Sequence, residues 1–245
     1  MSRDPGRLVR AALLLGFAGL IAKLFAAGQM VKYMTPALDP LTALTGVALA
    51  VMGVVELLGS GDAGDSGSHS GGVLDRGLTY GLVLLPLALG LFITPRALGS
   101  GALGGEAVAR LLLTFASSSA TPGSAPPPAR PPGDVAELLA YLRQAGVGGV
   151  GQRVRVMGVV ARSDALETDE VALLRFAIAH CVADARPLAL LVAGGPVAGT
   201  APDQWVEVEG VLALRERDGD RLVTIVAERV SVVEEPRNPY LSALY

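Results

Sequence analysis

Long unbroken apolar runs fill the first hundred positions of the chain, and short alternating ones fill the last hundred. Residues 8–27, 41–58 and 78–94 are each almost wholly apolar. Each comes close to the ~20 residues that cross a hydrocarbon layer of roughly 30 Å. They read as about three membrane spans. Lys23 lies near the end of the first, where its long stem lets the ammonium group reach the headgroups. Gly46 and Gly53, seven residues apart in the second, fall on one helix face and permit another helix to come close. Glu56 falls in the last turn of that span, at the interface. Pro86 sits inside the third, where a proline is tolerated. Residues 97–119 stay apolar apart from Glu106 and Arg110, which suits an interfacial helix or a short fourth span.

Residues 117–133 read SSSATPGSAPPPARPPG, a semi-extended tether without a core-forming pattern. Residues 134–146 predict one short helix, capped by Asp134, with Val135, Leu138, Leu139 and Leu142 on one face. Period-two alternation then takes over. Strands are expected over 153–161, 173–182, 188–192, 205–214 and 222–233, with a hairpin turn at Asp218-Gly219.

Two of these strands echo each other. Residues 152–161 read QRVRVMGVVA and residues 204–213 read QWVEVEGVLA, identical at six of ten positions. The echo places both in equivalent positions of a small barrel, with Gly158 and Gly210 as the points where a strand bends or bulges. The expected fold is therefore an α-helical membrane region (1–116), the linker (117–133), a small all-β, OB-like barrel domain with one preceding helix (134–236), and a C-terminal tail (237–245).

Charge separates the same two regions. Residues 1–133 carry a net +2 and residues 134–236 a net −6. Mean hydropathy is +0.49 and charged residues are 18% of the chain, below the roughly 25% of soluble domains. Arg3, Arg7 and Arg10 flank the first span, which puts the N-terminus in the cytoplasm. Three spans then place the barrel outside the cytoplasmic membrane, and a fourth reverses this. The same basic flank also suits a cleavable signal peptide, but no A-x-A site precedes Gly28.

The chemistry on offer is sparse. An acidic barrel poor in aromatics lacks the basic stacking groove that single strands need, so no nucleic-acid partner is expected. The glycines at 146, 148, 149 and 151 are no phosphate loop, because the helix precedes them and the strand follows. GxSxG, HExxH and Walker patterns are missing, so no enzyme is expected. The acidic run Asp164, Glu167, Asp169, Glu170 reads as a solvated loop. The loop 59–76 holds one histidine, His69, a poor metal site alone. His180, Cys181 and Asp184 put three metal-ligating types within five residues, a candidate for a divalent transition metal. Neighbouring strand residues point to opposite faces, however, so they converge only at a strand end or bulge. The alternative is a buried thiol beside a hydrogen-bonded histidine.

One set of residues carries a resemblance. It comprises Arg175-Phe176 with Ile178, Cys181, Ala183-Asp184-Ala185 and Pro187; Trp205-Val206 with Val208 and Gly210; Asn238-Pro239-Tyr240-Leu241; and Pro95 with Leu98-Gly99-Ser100. With these the chain resembles the YcgQ-like family, membrane subunits of a two-component permease with an OB-like C-terminal domain. Members commonly have Cys-Cys where this chain has His180-Cys181, and a histidine-rich loop where only His69 stands. The resemblance implies a non-enzymatic accessory subunit in the bilayer, partnered with a multi-spanning YcgR-like permease encoded nearby. The tethered barrel would then cover or regulate the transport path. The alternative is a membrane-anchored metal- or ligand-binding sensor or chaperone using His180, Cys181 and Asp184.

Overall fold

A computed structural model describes residues 5–59, 73–119, 134–145, 149–217 and 220–242. The chain divides into two compact units, Met1–Arg96 and Ala97–Tyr245. The expectations for His69, for most of the linker and for the Asp218-Gly219 turn lie outside the described residues.

The first unit is helical. Helix α1 (Pro5–Ala26) packs on α2 (Asp39–Leu58), and α3 (Val73–Phe92) follows with Pro86 inside it. Glycines make the packing close. A Cβ on Gly53 would lie 2.8 Å from Leu15 Cγ, and one on Gly46 3.0 Å from Ile21 Cγ2. These two glycines are the buried residues of α2, as their spacing predicts. At the other end of the hairpin Glu56 meets Arg7 and Arg10, each at 3.6 Å. Arg7 also donates to the carbonyls of Glu56 and Gly59, which the helix end leaves without partners. Glu56 is thus a fastening between helix ends. Two helices are long and apolar enough to cross a membrane, Gly6–Ala26 and Pro36–Leu58. That is fewer than the three expected: among the described residues α3 supplies a shorter apolar stretch, Gly81–Phe92.

The second unit is a closed barrel. Its strands are β1 (Arg153–Ala161), β2 (Glu170–Ile178), β3 (Arg186–Ala193), β4 (Trp205–Arg217) and β5 (Asp220–Val232). The order runs β1-β4-β5-β3-β2, and a β1–β2 pairing closes it. Neighbours are antiparallel except β3 and β5, which are parallel. The two echoing segments are hydrogen-bonded neighbours, with Val156 directly opposite Val208. Equivalent positions are therefore related by a local two-fold through that pair. Both glycines do what the echo requires. β1 leaves β4 for β2 just past Gly158, whose Cβ would lie 2.7 Å from the Leu174 carbonyl oxygen. At Gly210 the β4–β5 ladder slips register, and a Cβ would run into the carbonyl of Val226.

Helix α5 (Val135–Ala145) starts where Asp134 accepts the Glu137 N–H at 2.8 Å. It buries Val135, Leu138, Leu139 and Leu142 in the barrel core with Val154, Val156, Val160, Val206 and Val208. Each such side chain contributes roughly 2 kcal/mol of transfer free energy. Helix α4 (Gly105–Ser119) covers the outside of the sheet. Its Val108 and Leu112 pack on Ala172, Leu174, Ala189, Leu191 and Leu222. Residues 97–119, expected as an interfacial or spanning segment, belong to the barrel unit. All nine residues of β2 are buried because both faces are covered. β2 begins three residues earlier and ends four earlier than the alternation predicts. A sixth strand, β6 (Tyr240–Ser242), was not legible in the tail and pairs in parallel with Phe176–Ile178.

Candidate functional site

Because β2 stops at Ile178, His180 and Cys181 lie in a turn. Asp184 organises it. Its carboxylate accepts the N–H groups of Ala179 and His180 at 2.8 Å each and of Cys181 at 3.1 Å. The Asp184 N–H in turn donates to the Cys181 carbonyl at 3.0 Å. His180 is exposed, with Nδ1 3.3 Å from Asp184 Oδ2. The Ala179 amide, joined by those of Cys181 and His180, holds the Asp184 carboxyl below its ordinary range, while desolvation pushes the other way. The three predicted residues do come together in one turn, where the Asp184 carboxylate is engaged by three backbone amides and the His180 ring lies exposed beside it. Among the described residues no group of three His, Cys, Asp or Glu side chains is placed to hold a metal ion.

The segments that carried the resemblance meet at one end of the barrel. Phe176, Ile178 and Tyr240 form a small core against Ala97, Leu98, Leu103, Val182 and Ala185. Leu98 N–H donates to the Tyr240 hydroxyl at 3.1 Å. Ser100 N–H donates to the Asp203 carboxylate. Asp203 holds a left-handed backbone, φ +64°, in the loop before Trp205. Beside this cluster Arg175 is 6% exposed, its guanidinium 5.0 Å from the centre of the Trp205 ring. Its Nε is buried without a hydrogen-bond partner among the described residues. Burial pulls the Arg175 pKa below its ordinary value, and the Asp134 charge at the start of α5 opposes this.

The sequence matches known families in two segments. The DUF1980 N-terminal domain matches residues 9–108 and the DUF1980 C-terminal domain matches residues 137–242. The chain carries both DUF1980 domains. The barrel, with β6 and most of α5, is the DUF1980 C-terminal domain, and the helical unit lies almost wholly in the DUF1980 N-terminal domain. No curated protein matches the chain. Among solved structures it is similar to a small single-stranded DNA-binding protein from Streptomyces coelicolor, at 14% identity and a TM-score of 0.24. That similarity covers 34% of this chain and 93% of the other, and it bears on neither ligand nor fold.

The DUF1980 C-terminal domain holds two polar features that sequence reading missed. Glu170, expected in a solvated loop, is 2% exposed and accepts from Arg215 Nη1 at 2.6 Å. It lies in the wall of a cleft of about 290 Å³ shared with Glu167, Leu191, Glu216 and Leu222. Arg162 donates to the carbonyls of Val197, Ala198 and Thr200, pinning the loop that leads to Asp203. The signal for Arg175 was present, as a lone cation inside the apolar string LLRFAI. Nothing local marked Asp203 or Arg162.

Proposed function

We propose that this chain is a non-enzymatic membrane subunit that works by contact with a multi-spanning permease, through helices in the bilayer and a barrel beside it. The observation that carries this reading is the surface of α2. Leu41, Leu44, Val47, Val51, Met52, Val55 and Leu58 are exposed along it, while its glycines face α1. Such a face suits lipid or a neighbouring span, not water. In this reading α3 is the third span. Its order is supported by its partners on α1: a Cβ on Gly16 would meet Leu87, and one on Gly90 would meet Leu20. The two helices therefore run in the same direction, and α2 runs opposite to both. With the N-terminal arginines cytoplasmic, the chain leaves α3 on the outer side of the cytoplasmic membrane. The order of the five barrel strands, with the parallel β3–β5 pair among them, supports an OB-like barrel. The face of β2 and β3 that takes ligands in such barrels is covered here by α4, which favours a role in protein contact over one in nucleic-acid binding.

The test is a mild-detergent affinity purification of the tagged full chain, expressed with its genomic neighbours and read by mass spectrometry. A multi-spanning permease in stoichiometric amount is expected. Recovery of the chain alone, with the neighbour expressed, overturns the proposal.

A further inference from the structure

We infer that Tyr240 and Asp203 form a latch that makes the segment leaving α3 part of the barrel, so that the barrel works on a leash of four residues. This rests on the proposal that the apolar helices lie in a bilayer. Helix α3 ends at Phe92 and the barrel unit begins at Ala97, so Ile93, Thr94, Pro95 and Arg96 are all that lies between. At about 3.5 Å per residue the step from Phe92 to Ala97 reaches no more than roughly 18 Å.

The latch is built from two distant parts of the chain. Tyr240 comes from the C-terminal strand, is buried, and accepts the Leu98 N–H. Asp203 comes from the β3–β4 loop, which Arg162 pins through three carbonyls, and accepts the Ser100 N–H. Gly99 between them lies so close to Asp203 that a side chain there would collide with the carboxylate. Ala97, Leu98 and Leu103 add apolar contact with Phe176, Ile178 and Tyr240. Beyond the latch, α4 packs on the outer sheet face and α5 in the barrel core. Residues 120–133 therefore connect two helices docked on one barrel. A tether of that length, which would reach roughly 45 Å if extended, is not what sets the range of the domain.

The experiment places the full chain in nanodiscs with an acceptor dye on the lipid headgroups and a donor on the barrel at Asp164→Cys, in a Cys181→Ser background. Asp164 is exposed. One variant carries about ten extra Gly/Ser residues after Arg96, and another the same insert after Ser124, each adding roughly 18 Å of mean reach. Energy transfer is expected to fall with the first insert and to stay unchanged with the second. Tyr240→Phe combined with Asp203→Ala is expected to lower transfer without any insert. A fall with the insert after Ser124, or no effect of the insert after Arg96, overturns the leash. Transfer at background in every variant overturns the membrane reading, and the leash with it, and is a different pattern from either.

Discussion

Arg215 Nη1 sits 2.6 Å from Glu170 Oε1, and the carboxylate that accepts this bond is 2% exposed while the arginine remains 39% exposed. The pair joins the start of β2 to the far end of β4. Burying a carboxylate is costly unless its charge is matched. Arg215→Ala is therefore expected to destabilise the barrel by about 3 kcal/mol, the low end for a broken buried pair because water reaches the arginine side. The double variant Glu170→Leu, Arg215→Leu should recover most of that loss. Chemical denaturation of the full chain in detergent, followed through Trp205 fluorescence, measures both.

Gly210 and Gly158 are expected to tolerate no side chain. Gly210→Ala puts a methyl group against the Val226 carbonyl and 2.9 Å from Ile225 Cγ2. The obstacle is backbone, which cannot step aside as a flexible side chain does. A loss of about 3 kcal/mol is expected for Gly210→Ala, and a loss in the same direction for Gly158→Ala. Survival of either with an unchanged denaturation midpoint would contradict the crossing geometry.

The Asp184 turn should weaken in acid. Its carboxyl has a lowered pKa in the folded chain, chiefly from the Ala179 amide. Stability from this group is then fully present above the ordinary carboxylate range and is lost as pH falls through the lowered folded value. The protection of the Ala179, His180 and Cys181 amides, measured as hydrogen exchange relative to the intrinsic rate at each pH, should fall at low pH in the natural chain. In Asp184→Ala that protection should already be low at neutral pH and should no longer change with pH.

Helix contact in the first unit should fail asymmetrically. Gly53→Leu drives a large group into Leu15 and Leu14, and a cost of about 2 kcal/mol is expected from overpacking. Gly46→Ala adds a single methyl group 3.0 Å from Ile21 Cγ2, a smaller intrusion than a leucine, so its cost should be smaller. Thermal unfolding in detergent ranks the two.

Local pattern made most of the fold legible. The helix face of Val135, Leu138, Leu139 and Leu142 and the full extent of β1 match the structure because one period dominates each stretch. The Gly158 and Gly210 roles were legible because two similar strands carry glycine at equivalent places. Three things were hidden. Residues 97–119 are apolar for the sake of the barrel, and apolarity alone does not name the surface that is met. Glu170 reads as solvated because its partner lies 45 residues away. Tyr240 lies in a tail whose strand exists only through pairing with β2, a long-range match without local periodicity. At the site, the residues of the 180–184 turn were found, but the role of the Asp184 carboxylate in holding three backbone amides was not legible, and Asp203 and Arg162 act through loop carbonyls and amides that side-chain types do not announce.

The short strand β6 also has a protective consequence. β1 pairs with β2 at residues 172–174, and β6 takes the stretch 176–178 beyond it. Without β6 those three residues would present open backbone donors and acceptors, flanked by the apolar side chains of Phe176 and Ile178, to any extended chain that passed. A chain truncated after Arg237 is therefore expected to self-associate through that edge, seen by light scattering as concentration-dependent growth in mass. Strand β6 thus guards this edge of the barrel against becoming a template for its own copies.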